Sequence, residues 1–233
     1  MPRILAMETS GTLCSVAIGD GSFVEESNLV RPREHHALIL PMVAQLLARC
    51  GWSLRELDAI AFGRGPGSFT GLRIAASTVQ GLAFGSELPV IPVSSLDALA
   101  TGAHEALAQT PAMETIVAAV DAHMGELYAA VYDRGPRGVC ARVKEGVWRV
   151  AAFDVLGGCD PRTTALAGDA WSIYPQLLAA DAPVVVDAAA HARHVLRLAA
   201  DIDPRDWLDP AQAEPVYLRG VSVWKKSAEQ PRR

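Results

Sequence analysis

The chain has 233 residues, of which 50% are hydrophobic and 20% are charged, and its 21 Lys and Arg against 26 Asp and Glu leave a net charge of −5. This globular composition excludes a disordered, collagen-like or coiled-coil protein. The acidic balance disfavours binding of RNA or DNA by the chain alone, although the Lys-Lys pair at 225–226 and the Arg-Arg pair at 232–233 could assist a partner. No apolar run is long enough to span a membrane, and the N-terminus does not resemble a secretory signal. Four cysteines without C-x-x-C spacing predict free thiols in a cytoplasmic protein, with neither a disulfide framework nor a zinc site: Cys14, Cys50, Cys140 and Cys159.

The first predicted strand covers residues 4–7 and ends at Glu8. Small and hydroxyl-bearing residues at 9–12 predict a turn that leads into a second strand over 14–18. A Gly-Asp-Gly sequence then predicts a hairpin, whose third strand covers 22–30. The chain therefore opens with a three-stranded antiparallel unit.

A similar unit occurs in the second half of the chain. An apolar strand over 116–120 ends at Asp121, a turn follows at 122–125, and another strand covers 127–132. The two strand-end carboxylates, Glu8 and Asp121, lie 113 positions apart. We interpret the repeat as a duplicated fold, with chance as the alternative because such units are common.

Between and after these units, helical and strand patterns alternate, which predicts an α/β fold of mixed sheets flanked by helices. The expected domains are 1–108 and a smaller 109–213, with a linker at 109–111, and a C-terminal segment 214–233 that returns towards the first domain. In the first half, the other predicted elements are a helix over 34–50 interrupted by Pro41, a strand over 57–62, a glycine loop at 63–68, a helix capped by Thr70 that ends at 85, a strand over 89–93 and a helix over 96–108. In the second half, they are strands over 163–167 and 183–186, a helix over 188–200 and an extended segment over 214–219.

The carboxylate of Glu8 and the turn after it suggest phosphate chemistry. Sugar kinases, actin and the seventy-kilodalton chaperones place an acidic strand end and a hydroxyl-rich hairpin against nucleotide phosphate and magnesium. The alternative is a surface hairpin with a solvated glutamate. Candidate residues for such a nucleotide site are Glu8, Thr9, Ser10, Thr12 and Asp121.

The glycine loop is the most unusual stretch of the chain. It matches neither a Walker loop nor a G-x-G-x-x-G dinucleotide motif. Its glycines could bind an anion at the start of the following helix, or could allow two backbones to pass closely with Phe69 as a buried plug. Its candidate residues are Gly63, Gly65, Gly67, Ser68 and Gly71.

Metal and nucleophile chemistry have weak support in the sequence. His35 and His36 are adjacent, so on a helix they diverge, and no H-x-x-x-H or H-E-x-x-H is present. His191 and His194 are three apart, which an exposed helical face explains better than a metal site. No G-x-S-x-G or cysteine-protease motif occurs. We therefore predict no catalytic residue and no metal ligand.

The two long helices of the first half indicate a binding surface for another protein. On the first helix, Leu38, Met42 and Leu46 form one apolar stripe, and a second apolar stripe lies beside it. Two adjoining stripes are more than a surface helix needs in order to pack against one core. The second helix is rich in small residues that permit close helix packing. The alternative is burial of both helices in a single large core.

Four segments resemble the bacterial TsaB family, also called YeaZ. They are Arg-Glu-His-His-Ala-Leu-Ile-Leu-Pro-Met (33–42), Gly-Arg-Gly-Pro-Gly-Ser-Phe-Thr-Gly-Leu-Arg-Ile (63–74), Val-Asp-Ala-His-Met-Gly-Glu-Leu-Tyr (120–128) and Glu-Pro-Val-Tyr-Leu-Arg (214–219). The resemblance covers nearly the whole chain and implies a two-domain fold related to actin and the chaperone ATPases. It also implies a role in making N6-threonylcarbamoyladenosine (t6A) at position 37 of ANN-decoding tRNAs.

The resemblance further implies a non-catalytic subunit that activates a TsaD-like transferase, pairing through the two helices. A TsaE-like ATPase joins the complex, ATP or ADP and metal belong to partner subunits, and tRNA is bound through the complex. The same helices could also pair two copies of this chain. The family commonly has aspartate where this chain has Glu8, and Ile39 stands where TsaD-like chains have their second histidine. The implied interface residues are His35, Leu38, Ile39, Met42, Leu46, Arg73, Ala75, Ala76 and Val79.

The competing hypothesis is an autonomous ATP-dependent enzyme of the actin-like superfamily, such as a small kinase. Its nucleotide site would combine the carboxylates and turn described above with the glycine loop. ATP binding by the isolated chain would distinguish it from a scaffold subunit.

Overall fold

The computed structural model describes residues 1–154, 159–178, 184–186 and 188–219. The predicted strand position 183 and the residues from 220 onward, with both basic pairs, lie outside this range. Within it, no helix is long and apolar enough to cross a membrane. The four cysteines are free thiols, as predicted.

Two five-stranded sheets of the same topology form the frame of the molecule, in the orders β3-β2-β1-β4-β5 and β8-β7-β6-β9-β10. In each half the first three strands are antiparallel, the fourth pairs in parallel with the first, and the fifth pairs in parallel with the fourth. The duplication predicted from the repeat is therefore confirmed. The strands are β1 (Ile4–Glu8), β2 (Leu13–Gly19), β3 (Val24–Val30), β4 (Ala59–Gly63), β5 (Val90–Val93), β6 (Thr115–Asp121), β7 (Glu126–Gly135), β8 (Gly138–Arg149), β9 (Thr164–Ala167) and β10 (Val184–Val186).

The helices differ between the two halves. Two long helices cover one face of the first sheet, whereas a four-residue helix and irregular chain occupy the matching face of the second. The α-helices are α1 (His35–Cys50), α2 (Phe69–Ser86), α3 (Ser95–Ala106), α4 (Ala170–Ile173) and α5 (Ala192–Ala200).

Two helices pack across the division between the halves. The strands of the sheets lie within 1–108 and 109–213, but α3 packs Leu96, Leu99 and Ala103 into the core of the second sheet. In return, α5 packs Val195 and Leu196 against the first sheet. Each sheet thus obtains part of its apolar cover from the other half of the chain.

Several predicted boundaries are wrong in detail. The first helix continues through Pro41, where the missing hydrogen bond lies on the exposed side of the helix. The cap of α2 is Ser68, whose hydroxyl accepts a hydrogen bond from the Gly71 N–H at 3.3 Å, and Thr70 lies inside the helix. The last helix begins at Ala192, four residues later than predicted.

Candidate functional site

A cleft of about 600 Å³ lies between the two sheets, at the ends of the first strand of each half. Ser10 and Thr12 line it from the first half, and Asp121 and Asp169 line it from the second. The cleft therefore brings part of the predicted nucleotide site together from both copies of the repeat.

Glu8 itself is enclosed in the protein and is 1% exposed. Its carboxylate accepts hydrogen bonds from the Ser10 N–H at 2.5 Å and from the Ser95 hydroxyl at 2.8 Å. Burial raises its pKa above the ordinary value, although these hydrogen bonds act in the opposite direction. The solvated glutamate considered from the sequence is wrong, and the carboxylate is satisfied by its own chain.

The glycine loop lies directly on the turn that follows Glu8. A Cβ added at Gly63 would lie 1.9 Å from Glu8 Oε2, and one at Gly71 would lie 1.9 Å from the carbonyl oxygen of Thr9. Thr9, in turn, donates its hydroxyl to the Gly71 carbonyl at 2.8 Å. This geometry matches the close-passage alternative, because only glycine leaves room for the neighbouring backbone.

The rest of the loop follows the same pattern. A Cβ at Gly67 would lie 2.6 Å from the carbonyl oxygen of Ser10, and Gly65 has a φ of +101° that favours glycine. The predicted plug is wrong: Phe69 is 49% exposed, and its ring lies against the Arg73 guanidinium at 3.9 Å and the Tyr217 ring at 5.5 Å.

The carboxylate of the second half, Asp121, faces the cleft. It accepts a hydrogen bond from the Tyr174 hydroxyl at 2.8 Å and contacts His123 Nδ1 at 2.8 Å. Asp169 accepts from the Asp121 N–H at 2.9 Å, and burial raises the pKa of Asp169. Asp169 was not predicted from the sequence. The signal that could have found it is its position after a short apolar strand and a glycine, which resembles the start of the glycine loop after β4.

A second network that the sequence did not reveal joins the halves beside the cleft. Arg64 of the glycine loop binds Glu145 of β8 at 2.7 Å, and the Ser94 hydroxyl donates to the same carboxylate. Tyr132 donates to Asp97 at 2.7 Å, and burial raises the pKa of this aspartate. The partners are dozens of residues apart in the chain, so no spacing signal could pair them.

The histidines are used within the chain. His35 is buried, with its Nε2 3.2 Å from the Thr12 carbonyl oxygen. The exposed helical pair predicted at His191 and His194 is wrong, because His191 precedes α5 and His194 is buried with its Nε2 3.2 Å from Glu105. Among the described residues, no group of three His, Cys, Asp or Glu is placed to hold a metal ion.

The orientation predicted for the first helix is wrong. Met42 and Leu46 are 3% and 0% exposed and lie in the core over the first sheet, and Leu38 is partly buried against that core. A side chain buried within one chain cannot contact a partner. Of the other implied interface residues, Arg73 is exposed. The rest are buried like Met42 and Leu46, and they are His35, Ile39, Ala75, Ala76 and Val79.

The surface that α1 and α2 present to solvent is instead mostly small and apolar, and its exposed polar residues are His36, Gln45, Arg49, Thr70, Arg73 and Ser77. Leu40 is 51% exposed and Phe84 is 58% exposed. We call the small and apolar part of this surface the helix face and define it by seven exposed residues, Ala37, Leu40, Pro41, Ala44, Ser77, Gly81 and Phe84. The two helices carry few charges. Arg49 and Arg73 are the two Asp, Glu, Lys or Arg residues among the 16 residues of α1 and the 18 of α2, whereas such residues make up 20% of the whole chain.

The repeated sheet topology, the exchanged helices and the cleft between the sheets define a protein with a duplicated, actin-like two-domain fold. A family model described as "TsaD: tRNA N6-adenosine threonylcarbamoyltransferase" matches residues 29–232. With the near full-length relatives below, this shows that the chain belongs to the TsaB (YeaZ) family.

The similarity to individual members extends over almost all of the chain. The "tRNA threonylcarbamoyladenosine biosynthesis protein TsaB" of Escherichia coli is 37% identical over 237 residues, covering 96% of this chain and 97% of that protein. The protein of the same name from Haemophilus influenzae is 36% identical over 241 residues, with 96% of each chain covered. The solved structure of YeaZ from Pseudomonas aeruginosa matches with a TM-score of 0.82 and 38% identity, covering 94% of this chain and 100% of that chain.

Proposed function

We propose that this chain is a non-catalytic, activating subunit of a tRNA threonylcarbamoyl transferase complex in the cytoplasm. It pairs with a TsaD-like subunit that transfers the threonylcarbamoyl group to adenosine 37 of ANN-decoding tRNAs, and a TsaE-like ATPase joins the assembly. The names of its full-length relatives support a role in t6A biosynthesis.

The observation that carries the pairing is the nearly uncharged helix face. Interfaces between proteins are depleted of charged residues at their centre and enriched in apolar contact area. Leu40 and Phe84 supply large exposed apolar side chains, and Gly81 leaves open space above α2. Small residues beside large ones allow the helices of a partner to approach closely.

The non-catalytic role is supported by the position of Glu8. Its carboxylate lies beneath Gly63, hydrogen-bonded to Ser10 and Ser95, and is out of reach of a ligand in the cleft. In this proposal ATP or ADP and metal are bound by the partner subunits.

The pairing is tested with Leu40→Asp, assayed by gel filtration against the TsaD-like subunit of the same organism. A charge at the centre of the interface should weaken pairing at least a hundredfold and leave the melting temperature of the isolated chain unchanged. Val143→Asp is the matched control, because Val143 is 40% exposed, against 51% for Leu40, but lies on β8 in the second half. Equal pairing by both variants would refute the interface. The wild-type chain could instead form a homodimer and no heterodimer. If Leu40→Asp disrupted that homodimer, the helix face would be the contact between two copies of this chain.

The absence of catalytic groups is tested by modification assays with saturating partner proteins. Loss of a general acid or base slows a reaction by about 10²–10⁴-fold. Glu8→Gln, His35→Ala, His36→Ala and Asp121→Ala should each keep tRNA modification within about tenfold of wild type. A thousandfold loss with the complex intact would restore the enzyme hypothesis.

The autonomous ATP-dependent enzyme remains the second candidate, because the cleft carries Asp121 and Asp169 opposite Ser10 and Thr12. Calorimetry of the isolated chain with ATP and magnesium tests it. Micromolar affinity would favour this candidate, whereas no heat of binding would favour the subunit.

A further inference from the structure

The outer strand of the second sheet has a local excess of positive charge. Residues 134–149 contain five of the 21 Lys and Arg of the chain and one acidic residue, Glu145, although the whole chain has a net charge of −5. This range covers the end of β7 and all of β8, which is an edge strand paired with β7 alone. The charge is therefore concentrated on one edge of the molecule.

Two of the five cations have partners in the chain. Arg134 donates to the carbonyl oxygens of Leu107 and Thr110, and Arg142 forms a salt bridge with Asp133. The other three are exposed and form no salt bridge with any residue that the structure describes. They are Arg137, Lys144 and Arg149.

An aromatic ring accompanies these cations. Trp148 is 41% exposed, and its ring packs 6.0 Å from that of Phe153, which contacts the buried Trp171. A Cβ at Gly146 would lie 3.3 Å from Trp148 Nε1, so the glycine makes room for the indole. The indole is thus held in place on one side and open to solvent on the other.

The strand arranges the charge and the ring together. Gly146 and Trp148 lie on the same side of β8, and an irregularity of the strand between Val143 and Gly146 contains Lys144 and Glu145. Glu145 binds Arg64 of the glycine loop at 2.7 Å. The acidic residue of the range is therefore neutralised by a cation of the first half.

We propose that this edge contacts tRNA in the assembled complex, with Trp148 stacking on an unpaired base and Arg137, Lys144 and Arg149 contacting phosphates. The inference rests on the proposed function and adds an RNA-binding surface to it. Aromatic rings beside cations are the groups with which proteins bind single-stranded RNA, because bases stack on rings and phosphates attract cations. Three cations on an acidic chain add to the affinity of a complex and give weak binding alone.

The charge is tested with Lys144→Glu/Arg149→Glu in the complex with the TsaD-like subunit, using an ANN-decoding tRNA transcript between 50 and 200 mM salt. Affinity should fall at least tenfold, and the log–log salt slope should become shallower by about 1.4–1.8. The control Arg55→Glu/Arg205→Glu makes the same charge change at exposed positions elsewhere and should stay within about twofold.

The ring is tested with two substitutions that both keep an apolar side chain against Phe153. Trp148→Phe retains a stacking surface and should bind tRNA within about twofold of wild type, whereas Trp148→Leu should bind about fivefold or more weakly. Unchanged tRNA affinity of the charge and leucine variants, in complexes that assemble normally, would overturn the inference. Failure of the wild-type chain to pair with the TsaD-like subunit would instead overturn the proposed function.

Discussion

The two halves of the molecule share a sheet topology but treat the same strand-end carboxylate differently. Glu8 in the first half is 1% exposed beneath the glycine loop, whereas the Asp121 side chain in the second half is 11% exposed and faces the cleft. Glu8 is bound by its own backbone turn and Ser95, and Asp121 by the side chains of Tyr174 and His123. The same strand arrangement thus holds an enclosed carboxylate in the first half and a carboxylate that faces the cleft in the second half.

The helical cover differs in the same way. The first sheet carries two long helices whose outer face is nearly free of charge, while the second carries aromatic side chains and a basic edge strand. Under the two proposals above, the first half provides the contacts with the partner subunit and the second half provides the contacts with tRNA. The four predictions below test this division.

The largest expected effect is at the inner side of α1. Met42→Asp places an unpaired charge in the core over the first sheet, so it should cost about 5 kcal/mol or more of the free energy of unfolding and leave the chain unfolded. Circular dichroism and urea titration measure it. Leu40→Asp, two residues away and exposed, is the control; a folded Met42→Asp chain would contradict the assigned orientation of the helix.

Close backbone contacts, one in each half, should give the next largest effect. A Cβ at Gly71 would lie 1.9 Å from the Thr9 carbonyl oxygen, and one at Gly168 would lie 2.1 Å from the Ala119 carbonyl oxygen. Each change to Ala should cost about 3 kcal/mol, and Gly168→Ala should cost more because its φ of +107° also disfavours a side chain. Thermal and urea unfolding test both, and wild-type stability of either variant would refute the close contact there.

The enclosed carboxylate should make stability depend on pH. The folded pKa of Glu8 is raised by burial, so its contribution is present below the unfolded pKa near 4.5 and is lost as pH rises through the folded pKa. A tenfold difference in the acid dissociation constant between the folded and unfolded chain corresponds to about 1.4 kcal/mol of stability. Glu8→Gln cannot ionise, so its stability relative to wild type should increase from pH 4 to pH 8 in urea titrations.

Asp169→Asn is the companion in the second half, because burial raises the pKa of Asp169 as well. It should show a trend of the same sign. A pH-independent difference between wild type and Glu8→Gln would mean that the carboxylate is hydrated in solution.

The smallest expected effect has the opposite sign. Gly81 lies within α2 with nothing within 4 Å of an added Cβ, so Gly81→Ala should stabilise the isolated chain by about 0.5–1 kcal/mol. The same methyl group would project from the helix face, and it should weaken pairing with the TsaD-like subunit. A stabilised chain with unchanged pairing would place Gly81 outside the interface.

Much of the frame could be predicted because short apolar strands ending in a carboxylate and a turn are a local signal that occurs twice. The outer strand β8 was not predicted, since none of its residues is fully buried and the alternation of Val139, Ala141 and Val143 breaks off at Glu145, where the strand is irregular. The candidate functional site was harder to predict from the sequence than the sheets were. Adjoining apolar stripes on α1 do not reveal which one faces the core, and contacts such as Arg64 with Glu145 depend on how the two halves pack.

The exchange of α3 and α5 has a consequence for the synthesis of the protein. Until α5 (Ala192–Ala200) has left the ribosome, the face of the first sheet that carries Ile4, Ala6 and Ile91 lacks most of its cover. The Val216 N–H, which binds the Arg64 carbonyl in the glycine loop at 2.8 Å, is made later still. The N-terminal half therefore completes its core after translation of nearly the whole chain, and a fragment of residues 1–108 should expose apolar surface and aggregate.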